Sequence, residues 1–153
     1  MSGLRELLPQ LIPLAVEWAE RVSRQAAESA ELLDGAGIVM ARQVGVAAPQ
    51  RVRIAEPEPM PFPDHPKLRA AAMQTGMLGP TMAGLTLGYT IFLRPGTRTL
   101  RLLSHELRHV AQYEAVGSIA AFLPGYLAQI VHFGYHDAPY EVDARNHEIG
   151  GRA

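Results

Sequence analysis

The chain has 153 residues, 48% hydrophobic and 19% charged, a composition that suits one globular unit with a sizeable core and excludes a disordered chain. Fourteen basic and fifteen acidic side chains leave a formal charge of −1, so the balance provides neither an electrostatic grip on nucleic acid nor a general pull toward anionic membranes. There are no cysteines, which excludes disulfides, thiolate metal sites and cysteine nucleophiles; any bound metal must be held by histidine and carboxylate.

At the N-terminus Arg5 is followed at once by Glu6, and Pro9 and Pro13 interrupt the apolar stretch, a poor secretory signal. A cytoplasmic protein is the default expectation, with non-classical export left open. Residues 10–33 predict a long helix, because Leu11, Leu14, Trp18, Val22, Gln25 and Ala26 recur at three- and four-residue spacing. Leu32-Leu33-Asp34-Gly35 reads as its stop. A second short helix is predicted over 36–46, and a short strand over Arg51–Ile54. Residues 49–66 hold six of the twelve prolines and predict an extended surface strap, followed by a short helix over Lys67–Met77.

Residues 84–93 read as one strand, with Leu85, Leu87, Tyr89, Ile91 and Leu93 on one face and Thr86, Gly88, Thr90 and Phe92 on the other. Gly84 and Gly88 would permit close backbone approach, or mark a twist or bulge. After Pro95-Gly96, Thr97 or Thr99 caps a helix running to about Val116, and Gly117-Ser118 starts the next. The apolar run Ser118–Phe133 is too short for a membrane span and carries Pro124, Gly125, Gln129 and His132. The last helix is predicted to begin near Pro139.

The helix after the strand contains His105-Glu106-Leu107-Arg108-His109. Residues four apart lie about 40° apart around a helix and one turn apart along it, so both imidazoles point the same way and can meet one zinc ion. Glu106 sits on their flank, where a carboxylate can reach a water on the metal without being a ligand. Random shuffling of this composition gives the pattern about 0.02 times per chain, so composition alone does not account for it. Leu103, Leu107 and Val110 fall on the opposite side and are expected to pack on a core; Arg101, Ser104 and Arg108 form a polar flank. A third ligand must come from later in the chain, since Gln112 and Ala115 occupy the positions of the extended pattern; the candidates are His132, His136, Asp137, Glu141, Asp143, His147 and Glu148.

This order of strand, His105-Glu106-x-x-His109 helix, helical hairpin and Pro139-Tyr140-Glu141-Val142-Asp143-Ala144 resembles the gluzincin zinc metallopeptidases, most closely the minigluzincins and related bacterial zincin domains. The resemblance covers roughly residues 80–150, and Gln112 matches the H-E-x-x-H-x-x-Q form seen in such relatives. It implies an α+β fold, a mostly helical zincin-like domain with a small sheet beside the HExxH helix. Within one domain over 1–153, periodicity and proline content predict N-terminal helices over 1–48 and a strap and short helix over 49–83, and the resemblance implies a catalytic core over 84–150. It implies Zn2+ held by His105, His109 and Glu141, with Ala144 the small residue that commonly follows. In many gluzincins an acid four positions after the ligand glutamate orients a zinc-bound histidine. Arg145 stands there and cannot accept a hydrogen bond, so Glu148, also a partner for Arg145, Asp137 or a backbone carbonyl must serve instead.

The function so implied is zinc-dependent hydrolysis of peptide bonds, with Glu106 as general base and a peptide or protein substrate added to the edge of the 84–93 strand. Tyr135, His136, His132 and Tyr140 are candidates for stabilising the oxyanion. The alternative is a non-catalytic zinc-binding structural or protein-interaction module. Self-assembly into a homo-oligomer through the apolar N-terminal helix fits either. No nucleic acid and no membrane span are expected.

Overall fold

The first helix, α1 (Ser2–Ala27), begins well before the expected residue 10 and runs through both Pro9 and Pro13. A proline in a helix removes one N–H and frees the carbonyl four residues earlier. Spaced four apart, these two share one exposed face, where water can satisfy the Arg5 and Pro9 carbonyls. The opposite stripe, Leu11, Ala15, Trp18 and Ala19, is buried. α1 ends at Ala27 and not at Gly35: β1 (Glu31–Leu32) follows, and Asp34 starts the next helix. Its carboxylate accepts from the Gly37 amide at 2.7 Å, so Asp34-Gly35 is the N-cap of α2 (Gly35–Gln43) and not a stop for α1. The computed structural model describes residues 2–79 and 82–150; the outermost ends of the expected 1–153 domain and positions 80–81 of the strap lie outside them.

Among the described residues the chain is α+β, with six α-helices and one four-stranded mixed sheet. A 3₁₀ turn at Pro49–Arg51 leads into β2 (Arg53–Ala55), and the strap ends at α3 (Pro66–Thr75). The strap is not wholly a surface feature, since Pro63 is fully buried. The expected single strand over 84–93 is a hairpin of β3 (Gly84–Leu87) and β4 (Thr90–Leu93). Gly88 supplies the turn with φ +66°, at the first central position of a two-residue hairpin loop. Reversing the chain through that loop swaps the parity of the faces. Leu85 pairs with Phe92 and Leu87 with Thr90, while Thr86 pairs with Ile91 and Gly84 with Leu93. The five odd-numbered residues therefore do not share a face.

The strand order is β1-β2-β4-β3, with β2 parallel to β4 and the other pairs antiparallel, so β3 forms an edge. Both faces are covered. Leu87 and Phe92 join α1, α3 and α5 in one core cluster; Ile91 and Leu93 join α2 and α4 in the other. On the α1 side the Ser23 hydroxyl donates to the Leu87 carbonyl at 3.1 Å and meets the Thr90 hydroxyl at 3.0 Å. α4 (Leu100–Val116) is capped by Thr99, α5 (Ile119–Phe133) by Ser118, and α6 (Pro139–Asn146) opens with its proline. Glu114 of α4 accepts from the Ala47 and Ala48 amides and the Tyr89 hydroxyl, which ties the loop after α2 to the hairpin turn. No single described helix is long and apolar enough to cross a membrane, and α4 and α5 are bent by 115° at the break between them.

Candidate metal centre

α4 lies on the Ile91/Leu93 face of the sheet through Leu103, Leu107 and Val110, all buried. That docking turns His105, Glu106 and His109 away from the second core and toward the neighbouring helices. α6 packs against α4 through Ala144, which is completely buried, and is held there by polar contacts. Arg108 Nε donates to Asp143 at 2.8 Å, and Gln112 Nε2 donates to the Tyr140 carbonyl at 2.9 Å and to Asp143 at 2.8 Å. Asp143 thus faces α4's flank, while Glu141, on another side of α6, is directed between the two histidines.

The Glu141 carboxylate spans both rings: Oε1 lies 3.1 Å from His105 Nε2, and Oε2 lies 3.0 Å from His109 Nε2. The ligating atoms of these three residues lie within 4.8 Å of one another, the one such histidine–carboxylate group of three among the described residues. Each histidine has an acceptor on its other nitrogen. The Gln112 amide donates on one side, so its oxygen faces His109 and accepts from Nδ1 at 2.7 Å. His105 Nδ1 donates to Glu148 at 2.9 Å. Nδ1–H donation on both rings leaves both Nε2 atoms facing one point, the tautomer that a metal site needs. Two imidazole nitrogens and one carboxylate oxygen, without sulfur, form a donor set that suits zinc with a further position for water or substrate.

Electrostatics agree with an anion-rich nest around two bases. Burial alone would lower the pKa of His105, but hydrogen bonding to Glu141, the charges of Glu106 and Glu141, and the Glu148 contact outweigh it and raise it to about 9. His109 is raised on the same balance, against burial and the charge of His105. Burial would raise the pKa of Glu141, yet hydrogen bonds from both histidines and the Tyr126 hydroxyl hold it well below the carboxylate range. The groups that attract protons here are those that would hold a divalent cation.

Glu106 lies beside the triad and outside it. Its Oε1 accepts from the Thr86 hydroxyl at 2.8 Å, and that hydroxyl also reaches the Glu106 carbonyl at 3.1 Å. A Cβ placed at Gly84 would sit 2.8 Å from Glu106 Oε2. The close approach at Gly84 is therefore made by Glu106 of the protein itself, and Gly88 serves the turn.

The remaining expectations sort by position. His132 is exposed, 3.4 Å from Arg5; His136 is exposed and pairs with Asp137; His147 Nδ1 meets the Asp143 carbonyl. Glu148 contacts His105 and not Arg145, which donates to the His136 carbonyl at 2.7 Å. Glu148 lies beyond the end of α6, in the tail that follows it. The tail carrying it is fixed by Ser104, whose hydroxyl accepts from the Ile149 amide at 2.8 Å; Ser104 is fully buried and not part of a polar flank. Of the oxyanion candidates, Tyr135 lines the same cleft as Glu106 and Glu141, whereas Tyr140 lies against Phe122. Tyr126, not anticipated, donates to Glu141 Oε2 at 2.7 Å. Its only sequence signal is a hydroxyl four residues after Phe122 on the apolar face of α5.

No family model matches the chain, no curated protein is recognisably similar to it, and no solved structure matches it.

Proposed function

We propose that this protein is a zinc-dependent peptidase resembling the gluzincins, with His105, His109 and Glu141 as metal ligands and Glu106 as general base. The observation that carries this reading is the Glu141 carboxylate placed within 3.1 Å of both Nε2 atoms, with Glu106 held beside them by Thr86. Bound zinc would supply Lewis acidity, lowering the pKa of a water toward 7 and polarising the scissile carbonyl. Glu106 accepts a proton from the attacking water on the carboxylate oxygen not held by Thr86 and returns it to the departing amine. Gln112 and Glu148 keep the two imidazoles oriented through Nδ1. Tyr135, at the cleft beside Glu106 and Glu141, is the hydroxyl placed to meet the developing oxyanion. An extended peptide aligns on the edge of β3; the Thr86 carbonyl already accepts from the Tyr113 hydroxyl, which leaves the Gly84 end for pairing.

Elemental analysis should find one zinc per chain, lost in both His105→Ala and His109→Ala. Glu106→Gln should retain zinc and lose about 10²–10⁴-fold in hydrolysis of a peptide library. Stoichiometric zinc in both histidine variants sinks the site. A second reading, a zinc-binding module without turnover, is favoured by the burial of Glu106, only 5% exposed. It takes over if the zinc-loaded wild type cleaves no peptide in the library.

A further inference from the structure

Behind the candidate metal centre lies a cavity of about 60 Å³. Its wall is apolar and comes largely from outside the HExxH helix: Ala15, Trp18 and Ala19 of α1, Leu68 and Ala72 of α3, and Phe122, Leu123 and Leu127 of α5. Its polar lining comes from Glu106, His109, Tyr126, Tyr135 and Glu141 at the candidate centre, and from Thr86 and Tyr113, whose hydroxyls donate to Glu106 and to the Thr86 carbonyl. An outer cleft, rimmed by Arg101, Arg145 and Glu148, reaches the same centre from solvent. Met77, Gly84, Glu106, Tyr135 and Glu141 border both spaces, so the centre lies between an outer charged cleft and a largely apolar chamber. A molecule entering through the cleft meets the centre first, and only an apolar part of it is welcome beyond. Water occupies a cavity when it finds two to four polar partners, and the deep wall supplies none.

We infer, building on the peptidase reading above, that the chamber selects a substrate carrying a compact aliphatic group of about four carbons, of the kind borne by leucine or valine, beside the bond attacked. At about 60 Å³ the space is well below the roughly 150 Å³ of an apolar cavity that admits benzene, and suits a smaller aliphatic group. That admits an isobutyl group and excludes both a benzyl ring and a long acyl chain. The size limit is set by Ala15, Ala19 and Ala72, whose short side chains form part of the wall. The N-terminal helices, which supply no metal ligand, thereby acquire a role in choosing substrate.

The test uses hydroxamates of graded tail on zinc-loaded protein, with binding measured by calorimetry. Each buried methylene is worth about fourfold in affinity, so 4-methylpentanohydroxamate should bind on the order of 100-fold more tightly than acetohydroxamate. Octanohydroxamate and 4-phenylbutanohydroxamate should bind no more tightly than 4-methylpentanohydroxamate. Ala19→Val should abolish the isobutyl advantage, and Leu123→Ala should transfer it to the phenyl compound, each variant checked for native circular dichroism. Equal affinity for the acetyl and isobutyl compounds would overturn the pocket; tightest binding of octanohydroxamate would overturn the aliphatic side-chain class in favour of an acyl chain. Trp18, the only tryptophan, lines the chamber and reports its occupancy without metal. In zinc-free wild type, 4-methylpentan-1-ol should change its emission saturably, and much less so in Ala19→Val; no saturable change would overturn the inference. Failure to bind zinc with that response intact would sink the peptidase reading and uphold the chamber.

Discussion

Glu141 and Asp143 sit two residues apart on α6, yet only Glu141 reaches the histidines, because Asp143 is engaged by Arg108 and Gln112. Glu141→Ala should therefore weaken zinc binding by more than 100-fold in a competition titration with a chelator. Asp143→Ala removes a partner of a partner and should cost at most the 10–100-fold typical of groups behind the ligands. A larger loss from Asp143→Ala would mean that it, and not Glu141, holds the ion. Gly84 makes a separate point. A methyl group there meets Glu106 Oε2 at 2.8 Å, so Gly84→Ala should displace the carboxylate, retain zinc and lower hydrolysis by at least tenfold, with about 1–3 kcal/mol of overpacking cost in denaturant unfolding. At this scale the sequence made His105, Glu106 and His109 legible, since their juxtaposition is local to one helix. Glu141 required a resemblance, Glu148 was one of three acceptors left open for a zinc-bound histidine, and the contacts of Gln112 and Tyr126 were not legible, because they depend on how α5 and α6 settle against α4.

Among the elements, the closest fit between expectation and structure is where a cap or a proline marks a boundary: Thr99 before α4, Ser118 before α5 and Pro139 opening α6. Expectation failed where a signal had two meanings. Asp34-Gly35 serves equally as a helix end or a helix beginning, and only the Asp34–Gly37 hydrogen bond distinguishes them. Apolar residues alternate smoothly from Leu85 to Leu93, so the alternation does not betray the turn at Gly88. Pro9 and Pro13 look like breakers until their shared exposed face is known. The α4–α6 contact is the element pairing on which the centre depends. Ala144 has no exposure at that contact, and a larger side chain must separate the helices. Ala144→Leu should accordingly reduce zinc affinity at least tenfold while leaving helix content by circular dichroism unchanged; unaltered affinity would show that the helices need not approach so closely.

Across the whole molecule, the candidate ligands come from α4 and α6, the groups that contact their second nitrogens from α4 and the tail, and much of the chamber wall from α1, α3 and α5. An ion bound only by the folded arrangement stabilises it by mass action, about 2.7 kcal/mol at one hundred times the dissociation constant. For a chain of this size each kcal/mol moves the unfolding midpoint by about 2–4 °C, so removing zinc with a chelator should lower it by about 5–11 °C. Scanning calorimetry with and without chelator measures this, and coincident midpoints would argue against a metal centre. Composition was sufficient to anticipate a globular protein with no thiol chemistry, and the α+β fold followed from the resemblance. The contribution of the first third of the chain to the centre was not anticipated, because it arises from packing between segments distant in sequence.

That same packing imposes an order on biosynthesis. α1 leaves the ribosome well before the helix it leans on most heavily, α5, which begins only at Ile119. Until then the stripe of Leu11, Ala15, Trp18 and Ala19 has no lasting cover and is a natural client for chaperones. Glu141 and Glu148 emerge later still, so both histidines are made before the set of candidate donors is complete. Binding of the proposed metal is thus deferred until α6 has emerged, and a translation product cut short before α6 would keep both histidines without the carboxylate that spans them.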